Sequence, residues 1–81
     1  MFRVWVVDKD DRHNKNKNVS LGFHGLTRGM SNDEFTDDDG VATFDGYKEG
    51  GITVYISGDN YGDFYYEDGG EVTICYEYDT W

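Results

Sequence analysis

Apolar side chains in this chain recur at every second position, in short runs closed by glycine and aspartate. In ITVYIS, Ile52, Val54 and Ile56 share one side while Thr53, Tyr55 and Ser57 take the other. In VSLGFHGL, Val19, Leu21 and Phe23 alternate with Ser20, Gly22 and His24. EVTICYEY sets Val72, Ile74 and Tyr76 against Thr73, Cys75 and Glu77. A period of two puts successive side chains on opposite faces of an extended strand, and no segment carries the 3.6-residue stripe that a helix needs.

FRVWVV, Phe2 to Val7, is apolar on both faces, which predicts a central strand. GVATF adds a short strand with Ala42 and Phe44 on one face, and a further short strand is expected near Glu34 to Thr36. GDNYGDFYYEDGG reads as two turns around a short aromatic strand, Phe64 to Tyr66. The expectation is therefore an all-β, Greek-key β-sandwich of about six or seven short strands. With 81 residues the chain makes one domain, residues 1–81. A domain of this size buries only about 60% of its unfolded surface. Its seven tyrosines and five phenylalanines must supply the core. Proline is absent, so the 11 glycines and the aspartates must turn the chain.

The net charge of −10 is unevenly spread. Met1 to Arg28 holds six basic and three acidic residues, whereas Gly29 to Trp81 holds fourteen acidic and one basic. Such a balance repels phosphates, which argues against direct nucleic-acid binding. It favours a cationic partner, or it keeps the protein soluble and monomeric. Cys75 is the single cysteine, so no internal disulfide forms. MFRVWVVDKD lacks the pattern of a signal peptide, and no apolar run approaches membrane-spanning length. A complete chain is expected in the cytoplasm; a fragment of a longer protein is expected at the cell surface or outside the cell.

TDDDGVATF followed by GGITVYISGDNYGD resembles a known signature, T-D-x-x-G-x-x-x-F then G-x-Y-x-V-x-V-x-x-x-G-Y. It is that of the carboxypeptidase regulatory-like domains and of the B-type repeats of bacterial collagen adhesins. VWVVD and NVSLGF resemble the first two strands of that family, and the likeness runs from about Val4 to Tyr76. KEGG stands where the family has a proline, and Tyr61 follows Asn60 in place of glycine. The resemblance implies a prealbumin-like sandwich serving as an accessory or spacer module. The physics of the motif agrees. Asp39-Gly40 suits a tight turn, and Thr36 is expected to bond back to its own loop.

The candidate chemistry is limited. Asp37, Asp38 and Asp39 form a calcium candidate if Asp8, Asp10 or Asp11 lies at the same end of the sandwich. DKDDRHNKNKNV is no EF-hand loop, since His13 and Val19 stand where glycine and glutamate belong. The expected reading of the three aspartates is a turn. One thiol and two histidines, His13 and His24, form no zinc set and no nucleophile motif, although a pair of Cys75 with either histidine is conceivable. An isopeptide bond of the collagen-adhesin kind lacks its partners: Lys9 falls at the end of the first strand and the last strand has no asparagine. Tyr61, Tyr65 and Tyr55 are candidate contacts for a protein or carbohydrate, because rigid rings bury much area at small entropic cost. Asp63, Glu67, Asp68 and Glu71, with Asp59, Glu77 and Asp79, form an acidic candidate surface. The sequon at Asn18 lacks a secretory signal and is read as chance.

These features predict a non-enzymatic binding or structural module with no required cofactor, acting through end loops or an acidic face. The alternative is a free-standing acidic inhibitor, of the kind phages encode, that occupies a basic site on a nucleic-acid-binding protein. Fast, salt-sensitive association would be its mark.

Overall fold

The computed structural model describes residues 1–7, 17–25 and 29–76. Seven strands and no helix lie among them: β1 (Phe2–Val7), β2 (Asn18–Phe23), β3 (Glu34–Phe35), β4 (Val41–Phe44), β5 (Gly50–Ile56), β6 (Asp59–Tyr66) and β7 (Glu71–Cys75). They build a three-stranded sheet, β4-β1-β7, and a four-stranded sheet, β3-β2-β5-β6. The chain passes back and forth between the two, so the all-β Greek-key sandwich expected from the alternation is what forms. No helix long and apolar enough to cross a membrane occurs among the described residues.

The strand that is apolar on both faces does take the centre of its sheet. β1 pairs antiparallel with β4 and parallel with β7. Its Phe2, Val4 and Val6 are buried against Leu21, Ile52, Val54 and Ile56 of the other sheet. Burying a side chain of this size stabilises by about 1.5–3 kcal/mol, so the alternation is the main source of the fold. At one end the core becomes aromatic. The Phe2 and Tyr66 rings lie 5.1 Å apart between centroids, and Phe23 stacks on Tyr47 at 5.0 Å.

β6 departs from the sequence expectation. It runs over Asp59–Tyr66, not merely Phe64 to Tyr66, and pairs with β5 along most of its length. Asp59, Asn60 and Asp63 are turn formers in isolation; here the ladder to β5 pairs them and overrides that preference. The turn is the two-residue loop Ser57–Gly58, with φ of 53° and 87°. Positive φ at both positions is the geometry that matches the twist of a hairpin. Serine tolerates it poorly and asparagine well. Ser57→Asn is therefore expected to stabilise by about 0.5–1 kcal/mol, a gain of about 2–8 °C in melting temperature by calorimetry.

Candidate functional site

The outer face of the four-stranded sheet gathers what the core leaves out. Its register places Asn18, Ser20 and Gly22 of β2 beside Phe35 of β3 on one side and beside Thr53 and Tyr55 of β5 on the other. Asp63 and Tyr65 of β6 continue the row, opposite Thr53 and Gly51. Met30 bridges to Gly22 just beyond the strand. Among the described residues the large exposed hydrophobic side chains are Met1, Met30, Phe35 and Tyr65. The last three, at 59%, 61% and 56% exposure, all belong to this face. A Cβ on Gly22 would come within 3.0 Å of the Tyr55 ring and 3.2 Å of Met30 Sδ. The glycine thus lets Tyr55 and Met30 lie down on the sheet. Gly51 does the same for His24, whose Nδ1 would be 2.8 Å from an added Cβ. Two missing side chains keep the face low and flat, with aromatic and thioether groups spread over it.

A hydrogen-bond chain fixes the polar part of this face. The buried Thr53 hydroxyl lies 2.7 Å from Asp63 Oδ1 and 2.8 Å from His24 Nε2. A carboxylate only accepts, so the single Thr53 proton goes to Asp63. The His24 ring must then donate its Nε2–H to Thr53 Oγ1. The imidazole is a donor in this chain and does not draw the proton from the hydroxyl, so the arrangement positions side chains and does not activate Thr53 as a nucleophile. His24 Nε2 also stands 3.7 Å from Asp63 Oδ1, on the exposed surface.

The structure sorts the residues singled out from the sequence. Tyr55, Tyr65 and Asp63 share the outer face. Tyr61 does not: its ring packs on Tyr76 at 5.4 Å and sides with the core. The cause is an extra residue in β6, where Thr53 pairs with Asp63 but Tyr55 pairs with Asn60. This bulge shifts the alternation by one, so Tyr61 and Tyr65 face opposite ways. Gly62 N–H, freed from the ladder there, donates to Asn60 Oδ1 at 2.8 Å. Glu67 and Asp68 sit in the turn between β6 and β7, away from Asp63. Asp68 receives a hydrogen bond from the Met1 ammonium, and Asp45 Oδ1 lies 3.7 Å from the same group. That hydrogen bond, and then the ammonium charge, hold the Asp68 carboxyl below its ordinary range. Glu71 accepts from Trp5 Nε1 at 3.1 Å on the outer face of the other sheet. With Asp59 opposite Ile56 at the start of β6, the described acidic candidates are thus dispersed over four places. Cys75 is exposed on β7, on the opposite side of the sandwich from His24, so the two form no pair.

The stretch Asp37–Gly40 is a turn. Asp37 Oδ1 accepts from Asp39 N–H at 2.9 Å and Val41 N–H at 3.1 Å, while Gly40 N–H donates to Asp37 O at 2.9 Å. Gly40, at φ 76°, is buried, and its carbonyl accepts from Val6 N–H at 2.8 Å. Thr36 bonds across the sandwich end. Its Oγ1 accepts from Lys17 N–H at 2.8 Å and its N–H donates to Lys17 O at 2.9 Å, because Lys17 arrives there at the start of β2. This turn therefore lies at the same end as Val7 and Lys17, which flank the first loop. Asp8 and Asp10, the other calcium candidates, lie outside the described residues, as do Asp11, Glu77 and Asp79. Among the described residues no three carboxylate, imidazole or thiol side chains converge in a way that could hold a metal ion.

Sequence reasoning passed over His24, Thr53, Met30 and Phe35 as parts of one surface. Gly22 and Gly51 were the available signal, since glycine inside a strand often marks a close approach of other groups. No protein-family model, curated protein or solved structure matches the chain.

Proposed function

We propose that this chain is a non-enzymatic binding module, of the prealbumin-like accessory kind, that docks a basic protein partner on the outer face of the β3-β2-β5-β6 sheet. The observation that carries the reading is that Met30, Phe35 and Tyr65, three of the four large exposed hydrophobic side chains among the described residues, all lie on that one face, which also bears the half-buried Tyr55. A face that collects most of the exposed large apolar groups, with few charges between them, is a candidate interaction surface. Charge selects the partner. None of the four strands contains lysine or arginine, and β6 contributes Asp63 to the outer face. The two-sheet architecture and the Asp37–Gly40 turn support the likeness to accessory domains of this type. The reading needs no cofactor and takes the free chain as a monomer.

The same charge balance favours one alternative, an acidic inhibitor that occupies the basic site of a nucleic-acid-binding protein. Both readings demand a basic partner; they differ in what that partner otherwise binds. The test is capture with immobilised chain, compared with the face variant Phe35→Ser/Tyr65→Ser, and identification of the retained protein by mass spectrometry. A specific partner kept by the parent chain and lost with the variant is the expected result. Release of that partner by duplex DNA would favour the inhibitor reading. Equal retention by both chains would remove the outer face from consideration.

A further inference from the structure

Resting on the outer face as the docking surface, we propose that it carries a guanidinium site: an arginine of the partner seats over the Tyr65 ring and against Asp63 Oδ2. Asp63 is held in place by its other oxygen. Oδ1 accepts the Thr53 hydroxyl, which in turn receives His24, and no hydrogen bond among the described residues reaches Oδ2. The carboxylate is 73% exposed, oriented, and half satisfied. Tyr65 stands two positions along the same strand, on the same side, so the two residues are about 7 Å apart between Cα atoms along β6. That separation admits one planar cation between them. A guanidinium is attracted to a ring face within about 6 Å of its centroid while donating to a carboxylate at its edge. Arginine suits this better than lysine, because its planar fork stacks and donates at once, whereas an ammonium is a strongly hydrated point charge.

Three features point to a protein cation over other ligands. A phosphate-bearing chain would meet Asp63 with no basic residue in any of the four strands. A neutral sugar would cover the Asp63 carboxylate without neutralising it, which is costly. The Thr53–His24 chain also fixes the carboxylate in advance, so little side-chain order remains to be lost on binding.

The test titrates the isotope-labelled full chain with a hexa-arginine peptide at low and at physiological salt, following backbone amide signals. Hexa-lysine and cello-hexaose serve as comparison probes. The proposal expects shifts at Thr53, Asp63 and Tyr65, and affinity several-fold higher for arginine than for lysine. Asp63→Asn is expected to weaken hexa-arginine about tenfold, the scale of one lost charge-assisted contact. Its Oδ1 still accepts from Thr53, so its melting temperature should match that of the parent chain. Tyr65→Ala tests the ring separately and is expected to remove the preference for arginine over lysine. Parent-like affinity in Asp63→Asn, or shifts confined to the turns at Asp37–Gly40 and Glu67–Gly70, would overturn the assignment. So would equal shifts with cello-hexaose. If hexa-arginine fails while a captured protein still depends on Phe35 and Tyr65, the guanidinium site falls and the docking face stands.

Discussion

Phe2→Ala is expected to lower the unfolding free energy by about 3–5 kcal/mol, the usual cost of emptying a buried aromatic site. Phe2 is 1% exposed and lies on the central strand of the smaller sheet. Its ring meets Tyr66 at 5.1 Å, and Tyr66 in turn contacts Phe23 and Tyr47 at 5.9 and 6.0 Å. These four rings join the two sheets at the end where the chain starts, so the cavity opens in a layer where both sheets depend on aromatics. The neighbours cannot collapse readily, since Tyr47 N–H is directed at the Tyr66 hydroxyl at 3.4 Å and Asn32 N–H at the Tyr47 hydroxyl at 3.1 Å. A domain of this length has roughly 4–12 kcal/mol in total, so much of the margin would go. Urea unfolding is the measurement, with Phe2→Leu as the milder comparison at under about 1.5 kcal/mol. A loss below 1 kcal/mol in Phe2→Ala, flagged by an unchanged midpoint, would mean that this end is not packed as described.

Gly40→Val is expected to cost about 1–3 kcal/mol from backbone strain alone. The residue has φ 76°, a region that a β-branched side chain resists. It is also tied at both polar groups, through N–H to Asp37 O at 2.9 Å and through its carbonyl to Val6 N–H at 2.8 Å. Relieving the strain by rotating the backbone would break one or both, which raises the cost further. Three companion changes separate the turn from its charge. Asp38→Asn touches an exposed carboxylate for which no hydrogen bond is formed among the described residues, and should stay within about 0.5 kcal/mol. Asp37→Ala removes the acceptor of two main-chain N–H groups and should cost about 1–2 kcal/mol, whereas Asp37→Asn keeps that oxygen. Thermal melts of the four variants rank them. If Asp38→Asn proved as damaging as Gly40→Val, the acidic run would have a role beyond turning the chain.

The strands most readable from the sequence are those whose partners merely confirm their own pattern. β5 alternates without a break, and Ile52, Val54 and Ile56 are all buried as the alternation requires. β1 announced its central place by being apolar on both faces, with Trp5 and Val7 half-buried on the outer side. β6 was readable only at its aromatic end, because Asn, Asp and Gly become strand residues there through pairing with β5, a non-local contact. The bulge in the same strand explains the misplacement of Tyr61. A strict period of two carries Tyr61 and Tyr65 to one side, and a single extra residue parts them. The outer face was legible only in pieces. Tyr55, Tyr65 and Asp63 stood out as residue types, but His24 and Thr53 join them through a register between three strands that no local pattern encodes. Phe35 and Met30 looked like solitary residues in a polar segment and reach the face only because that segment lines up against β2.

The account turns on which surface of the sandwich meets a partner. Hydrogen exchange of the chain, alone and bound to the protein identified by capture, tests this directly. The predicted result is slowed exchange in β2, β5 and β6, centred on Gly22, Thr53 and Tyr65, with the outer face of β4-β1-β7 unchanged. Protection confined to Arg3, Trp5 and Thr73 on that opposite face, or to the Asp37–Gly40 turn, would contradict it.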